Sequence, residues 1–270
     1  MQGNALAVIG DADGLGDDAM LRMARETRLS ETTFVQSPGA AGADYRNRIF
    51  TVAGELPFAG HPSLGTAVAV ARARGERSVR YVQQTGAGLQ PVGAELSADG
   101  RHASAWMLQE PAVFGVEVDK AKAMAAAGLF PEDAHPELQP QVVSTGVPHV
   151  IAPVGSDGAL ARATPDDVAL AALLDGVEAV VLYVVALDPE RGQAHARGFT
   201  PSVTGGEDPA TGSAAGPLCA YAAQRIGTER LVIDQGLEMG RPSRLEAEIE
   251  GDRVRVAGEV VVLVDGSLHL

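Results

Sequence analysis

The most constraining feature of this chain is a phrase written twice. "HPSLGTA" runs from His61 to Ala67 and "DPATGSA" from Asp208 to Ala214, more than half the chain apart. Each copy follows an Arg-x-Phe-Thr tetrad, Arg48–Thr51 in one case and Arg197–Thr200 in the other. Two matched signatures in the same order point to two similar lobes, related by duplication or pseudo-symmetry. In each lobe the tetrad closes a strand ("NRIFTVA", "AHARGFT"). A Gly-containing loop follows, and then His61 or Asp208 stands where an N-cap belongs, with Pro62 or Pro209 at the first helical position. The segments beyond, "LGTAVAVARA" and "TGSAAGPLCAYAA", are small or apolar on every side, so the helices they form are buried on every side. Pro217 is expected to kink the second near Ser213.

The expected architecture is therefore α/β of the α+β kind, with two pseudo-symmetric lobes. Each is a mainly antiparallel sheet wrapped around a central buried helix. The first lobe covers 1–109 and is completed by a C-terminal strand at about 260–270. The second covers 111–259, with the crossing at Glu110-Pro111. Other strand-like runs are "ETTFVQ", "SVRYVQQ", "HVIAPV", "AVVLYVVAL", "RLEAEIEG", "RVRVAGEVVVLV" and "SLHL". Further helices are expected in "GDDAMLRMARETR", "DKAKAMAAAGL" and "TPDDVALAALL".

Bulk properties narrow the partners. A net charge of −14 argues against nucleic acid and anionic membranes. No apolar run is long enough to span a bilayer, and the N-terminus lacks a basic signal-peptide region. The single cysteine, Cys219, excludes an internal disulfide and fits a reducing cytoplasm. No metal-ligand spacing, Walker loop or dinucleotide fingerprint is present, so neither a metal nor a nucleotide cofactor is supported, and without a Gly-x-Ser-x-Gly elbow a hydrolase is not expected. His149 reads as a packed histidine.

Two helix starts of one design imply a shared site between the lobes. Unpaired N–H groups there favour an anion, and Gly60, Ser63, Gly65, Thr211, Gly212 and Ser213 let it approach the backbone. The natural ligand is a small carboxylate. His61 titrates near neutrality, and Asp208 can orient a polar group or act as a base. Glu55 and Glu207 are expected to pair with Arg48 and Arg197 as exposed ion pairs of little weight. In "RLSETTFV", Ser30 or Glu31 either finishes a helix or leaves a partly desolvated carboxylate with a raised pKa.

"LSETTFV", "RIFTVAGELPFAGHPSLGTA", "GGEDPATGSAAGPL" and "QGLEMGRPS" resemble the phenazine-biosynthesis PhzF-like family, which shares its fold with diaminopimelate epimerase. The resemblance implies a cofactor-independent isomerase, whose best-known reaction is isomerisation of trans-2,3-dihydro-3-hydroxyanthranilate. It implies Glu31 as general acid/base. His61, Asp208 and Ser213 shape the site, with Ser30, Gly60, Thr211 and Gly212 beside them as substrate contacts. It also implies a cytoplasmic homodimer. Two departures stand out. The family's first strand is missing ahead of "GNALAVIGDADGL", and Ala5 replaces the usual Pro: either the start codon is misplaced, or the chain was trimmed, or the fold tolerates an exposed sheet neighbour, which invites association. Val52 also stands where many relatives have Pro. Neither helix start carries a Cys, so the two-thiol chemistry of the sister epimerases is excluded. The rival readings are an epimerase or racemase without catalytic cysteines and a non-catalytic carboxylate-binding protein.

Overall fold

The duplication seen in the spelling is a duplication of topology. The structure, a computed structural model, describes residues 2–201, 203 and 205–268. The first half runs β1 (Leu6–Ile9), α1 (Asp17–Thr27), β2 (Glu31–Gln36), β3 (Tyr45–Phe50), β4 (Glu55–Leu56), α2 (Gly60–Ala73), β5 (Ser78–Thr85), β6 (Gly88–Leu96) and β7 (His102–Gln109). The second half opens with β8 (Val113–Glu117), α3 (Lys120–Ala126) and β9 (Gln141–Ser144). It then repeats the first plan: β10 (Pro148–Val154), α4 (Asp157–Arg162), α5 (Asp167–Val177), β11 (Val181–Asp188), β12 (Gln193–Phe199), β13 (Glu207–Asp208), α6 (Gly212–Ile226), β14 (Arg230–Gln235), β15 (Ser243–Glu250) and β16 (Arg253–Val261).

The pairings repeat as well. β1 lies parallel to β2 as β10 does to β11, and β3 parallel to β5 as β12 does to β14; the hairpins β5/β6/β7 and β14/β15/β16 are antiparallel. β16 pairs with both β15 and β7, so one sheet runs through both halves and curls around α2 and α6. The two helices touch each other inside it. Their apolar circumference is buried, including Leu64, Val68 and Ala71 on α2 and Ala215, Leu218 and Cys219 on α6. α6 continues through Pro217 to Ile226.

The outer helices start where local chemistry closes their ends. Asp119, Ser156 and Asp166 accept from the N–H groups of Lys122, Ala159 and Ala169 at the starts of α3, α4 and α5. α1 ends on Arg28, left-handed at φ 52°, whose N–H bonds Ala24 O. The helix is therefore closed before Ser30 and Glu31, which leaves Glu31 free to open β2.

Three local expectations need correction. His61 is not an N-cap: α2 starts at Gly60 behind Ala59, and Pro62 is its third residue. Asp208 lies on β13 ahead of α6, whose N-cap is Thr211, and Pro209 precedes the helix. The cause is packing of one helix start on the other, described below. At the C-terminus, Val260 and Val261 belong to β16, 262–268 form no strand, and His269 and Leu270 of the expected "SLHL" strand lie outside the described residues.

Candidate active site

The starts of α2 and α6 meet backbone to backbone. A Cβ built on Gly60 would fall 2.5 Å from Gly212 C and Ser213 N, and one on Gly212 would fall 3.2 Å from His61 N. Only glycine permits this approach. The contact pairs Gly60 with Gly212, whereas the repeated phrase aligns Gly65 with Gly212. Spatially His61 therefore answers Ser213, and Asp208 stands on the strand before. Neither helix start has a hydrogen-bonded side-chain cap, so its first N–H groups remain available to a ligand.

Around this contact the structure gathers Glu31, His61 and Asp208. Glu31 Oε2 lies 3.2 Å from His61 Nε2, within ion-pair distance but outside hydrogen-bond geometry. On the other ring nitrogen, Asn4 Nδ2 is 3.2 Å from His61 Nδ1. The same Nδ2 donates to Asp208 Oδ1 at 2.6 Å and to Ala210 O at 3.2 Å. The amide carries two hydrogens, and these two acceptors use both.

Asp208 is held from three sides. Thr211 Oγ1 donates to its Oδ2 at 2.8 Å, Asn4 to its Oδ1, and Gln235 Nε2 to its backbone carbonyl at 2.7 Å. Gln235 also accepts from Thr211 N–H at 3.0 Å and from Tyr183 OH at 2.8 Å. Gln109 donates to Gly212 O at 2.9 Å and accepts from Thr145 Oγ1. Ser213 is half-buried as the second residue of α6, and Ser30 enters the neighbourhood as the residue before Glu31.

Burial sets the charge states. Glu31 is pushed up to about 8 by desolvation, reinforced by the negative charge of Asp208. Its neighbours Thr32 and Thr33 bond Thr27 and Thr66 instead, and leave its carboxyl unrelieved. His61 is pushed down to about 3 by desolvation, against a backbone hydrogen bond at Ala5, and is neutral at physiological pH. Asp208 rises to about 6 because burial outweighs its bonds to Thr211 and Asn4.

Asn4, Gln109, Thr145 and Gln235 escape sequence reasoning. Only Asn4 left a signal: "GNAL" before β1 stands where "GVPH" precedes β10, a polar residue against Val147. His149 is buried beside the backbone of Ser213, and Cys219 is buried with its thiol pushed up to about 12 by burial. Among the described residues no group of His, Cys, Asp and Glu is placed to hold a metal ion. No described helix is long and apolar enough to cross a membrane.

Fold and site together describe an isomerase of the two-lobed, sheet-wrapped-helix class. The chain belongs to the phenazine biosynthesis-like (PhzC-PhzF) family, whose profile matches residues 1–266. It is 37% identical over 282 residues to a trans-2,3-dihydro-3-hydroxyanthranilate isomerase of Pseudomonas aeruginosa, covering 100% of this chain and 95% of that protein. Among solved structures, a predicted epimerase from Pseudomonas aeruginosa superposes with a TM-score of 0.82 at 33% identity, covering 98% of this chain and 95% of the other. A PhzF-family protein from Bacillus anthracis gives 0.83 at 28% identity, covering 97% and 92%.

Proposed function

We propose that this isomerase moves a proton within a small amino- or hydroxy-carboxylate of the trans-2,3-dihydro-3-hydroxyanthranilate type, using Glu31 as general acid/base and no cofactor. One observation carries the reading: a carboxyl pushed up to about 8 lies 3.2 Å from a neutral imidazole beside two uncapped helix starts. The Glu31 carboxylate takes a proton from one carbon of the substrate and holds it as a carboxylic acid. The electron pair shifts along the unsaturated system, and the Glu31 carboxylic acid, whose proton exchanges with solvent, delivers a proton to a second carbon. Substrate and product have the same composition, and the enzyme ends as it began. His61 flanks the Glu31 carboxyl, Asn4 packs beside its ring, and Asp208 with Ser213, Thr211, Gly60, Gly212 and Ser30 receives the polar end of the substrate. The N–H groups at the starts of α2 and α6 suit its carboxylate.

The identity of the related dihydrohydroxyanthranilate isomerase supports this substrate class. Dimerisation and a cytoplasmic location belong to the same proposal, the first resting on the family and the second on a single buried cysteine. The test is turnover of trans-2,3-dihydro-3-hydroxyanthranilate in deuterium oxide. Glu31→Gln is expected to abolish both product formation and deuterium incorporation while the fold is retained. Unchanged incorporation would overturn the role of Glu31. A ligand-induced rise in melting temperature without any exchange in the wild-type chain would identify a binding protein instead.

A further inference from the structure

The two Arg-x-Phe-Thr tetrads differ at one position: Ile49 in the first, Gly198 in the second. Strand register shows what surrounds each. Ile49 stands opposite Thr33 of β2 and Leu56 of β4, and Gly198 opposite Tyr183 of β11 and Asp208 of β13. Four residues beyond Leu56 and Asp208 come Gly60 and Gly212, so Ala59 answers Thr211. Tyr45 and Ala194, each three residues before its tetrad's Arg, pair with Gln83 and Ile233, so two residues further on Thr85 answers Gln235. The second half therefore places Tyr183, Asp208, Thr211 and Gln235 where the first builds the same strand–helix junction from Thr33, Leu56, Ala59 and Thr85. The fold does not require the polar set.

Gly198 makes room for that set. A Cβ there would fall 2.6 Å from Thr211 Oγ1 and 3.2 Å from Gln235 Nε2, where the first half carries the Ile49 side chain. The hydrogen bonds in this space have one possible direction. Thr211 N–H only donates and the Asp208 carbonyl only accepts, which fixes the Gln235 amide between them. Its Oε1 takes Thr211 N–H at 3.0 Å, and its Nε2 gives to Asp208 O at 2.7 Å. Burial pushes the Tyr183 phenol up, so it keeps its proton and donates to the same Oε1 at 2.8 Å. Gln235 Nε2 also gives to Thr211 Oγ1 at 2.9 Å, and the single hydroxyl proton of Thr211 points to Asp208 Oδ2 at 2.8 Å. That hydroxyl makes no capping bond to α6.

We infer that Gln235 is a positioning residue for Asp208: acting through Thr211, it holds that carboxylate as an acceptor for an N–H or O–H group of the substrate. The inference rests on the substrate-binding role proposed above for Asp208. Tyr183 anchors the Gln235 amide from behind, and Asn4 supplies the matching donor on Asp208 Oδ1 at 2.6 Å. The ionisable groups around Asp208 are Glu31, Glu207 and Tyr183, with His61 beyond Asn4. Among the described residues none of these donates to it, so the two neutral donors are what favours its ionised form against burial.

The test reads the Asp208 carboxyl directly, by carbon NMR titration of the intact chain labelled at its aspartates, with Asp208→Asn assigning the signal. In the unaltered chain the inflection is expected near 6. Thr211→Val removes the hydroxyl and is expected to move the inflection up by at least about half a pH unit. Thr211→Ser is expected to bring it back. Gln235→Met is expected to move it up as well, and because Gln235 acts through Thr211, the double variant moves no further than Thr211→Val alone. If Gln235→Met fails to fold, Gly198→Ala, whose methyl displaces the same hydroxyl, takes its place in the cycle. An unmoved inflection in Thr211→Val, or shifts that add in the double variant, would overturn the inference. This titration uses no substrate, so its outcome is separate from that of the proposed reaction. Turnover of trans-2,3-dihydro-3-hydroxyanthranilate supplies the second readout. Gln235→Met is expected to raise KM at least about twofold at pH 6 and to leave it unchanged at pH 8, where Asp208 is ionised in either form. A KM raised equally at both pH values would mean a merely structural role and would overturn the inference.

Discussion

At the scale of single residues, the site is a short chain of groups: Glu31, His61, Asn4 and Asp208. Its order comes from one amide. Asn4 spends both its N–H bonds on acceptors from the second half and so holds the segment before β1, and the His61 ring beside it, against Asp208. The consequence for pH is definite. In the proposed reaction Glu31 must be ionised to take a proton, and with its pKa raised to about 8 roughly a tenth is ionised at pH 7. In the free enzyme kcat/KM is therefore expected to climb about tenfold per pH unit below this value and to level off above it. His61, pushed down to about 3, contributes no titration in that range. A profile falling through pH 8 would mean that the protonated form of Glu31 starts the reaction. Glu31 itself was visible in "LSETTFV" through the resemblance, but its desolvation was not. That depends on Thr32 and Thr33 turning to Thr27 and Thr66, partners set by strand and helix packing.

At the scale of elements, the repeated Arg-x-Phe-Thr is the brace of each half. Arg48 grips Glu55 with two hydrogen bonds of 2.8 and 2.5 Å and lies over the Phe50 ring; Arg197 grips Glu207 at 2.8 and 2.7 Å and lies over Phe199. Arg197–Glu207 is not the exposed pair expected from sequence, whereas in the Arg48 pair Glu55 keeps the expected exposure. Both arginines are buried, because each closes the hairpin that leads into a buried helix. Arg197→Met leaves Glu207 without its partner and is expected to cost about 3 kcal/mol or more in denaturant unfolding. Arg230→Met breaks the exposed pair with Glu246 and is expected to cost at most about 1 kcal/mol. The two helix glycines separate in the same way. Gly60→Ala drives a methyl into the Gly212–Ser213 backbone and is expected to lower turnover at least a hundredfold. Gly65→Ala meets only the end of the Leu6 side chain, which can rotate away, and is expected to change stability by less than about 1 kcal/mol.

At the scale of the whole molecule, the halves are joined by more than their connecting loop. β16 pairs along its length with β7, α2 touches α6, and one apolar core includes Met107, Val68, Leu218 and Val256 from both halves. Separation of the halves would expose that core, so a single calorimetric unfolding transition is expected, with van't Hoff and calorimetric enthalpies equal. Two resolved transitions would show independent halves. The repeated phrase, the tetrads and the all-round apolar helices were enough to read two sheet-wrapped helices, since local pattern and burial follow from side-chain periodicity. Glu31, His61 and Asp208 were legible as residues for the same reason: short motifs carry them. Their geometry was not. The offset that opposes Gly60 to Gly212 and the amide of Asn4 reaching across to Asp208 both depend on distances between segments far apart in the chain. Sequence alone determined which elements form and which side chains they offer. The tertiary structure decided which of those side chains share one dry space, because desolvation and contact depend on distance through space and not on separation along the chain.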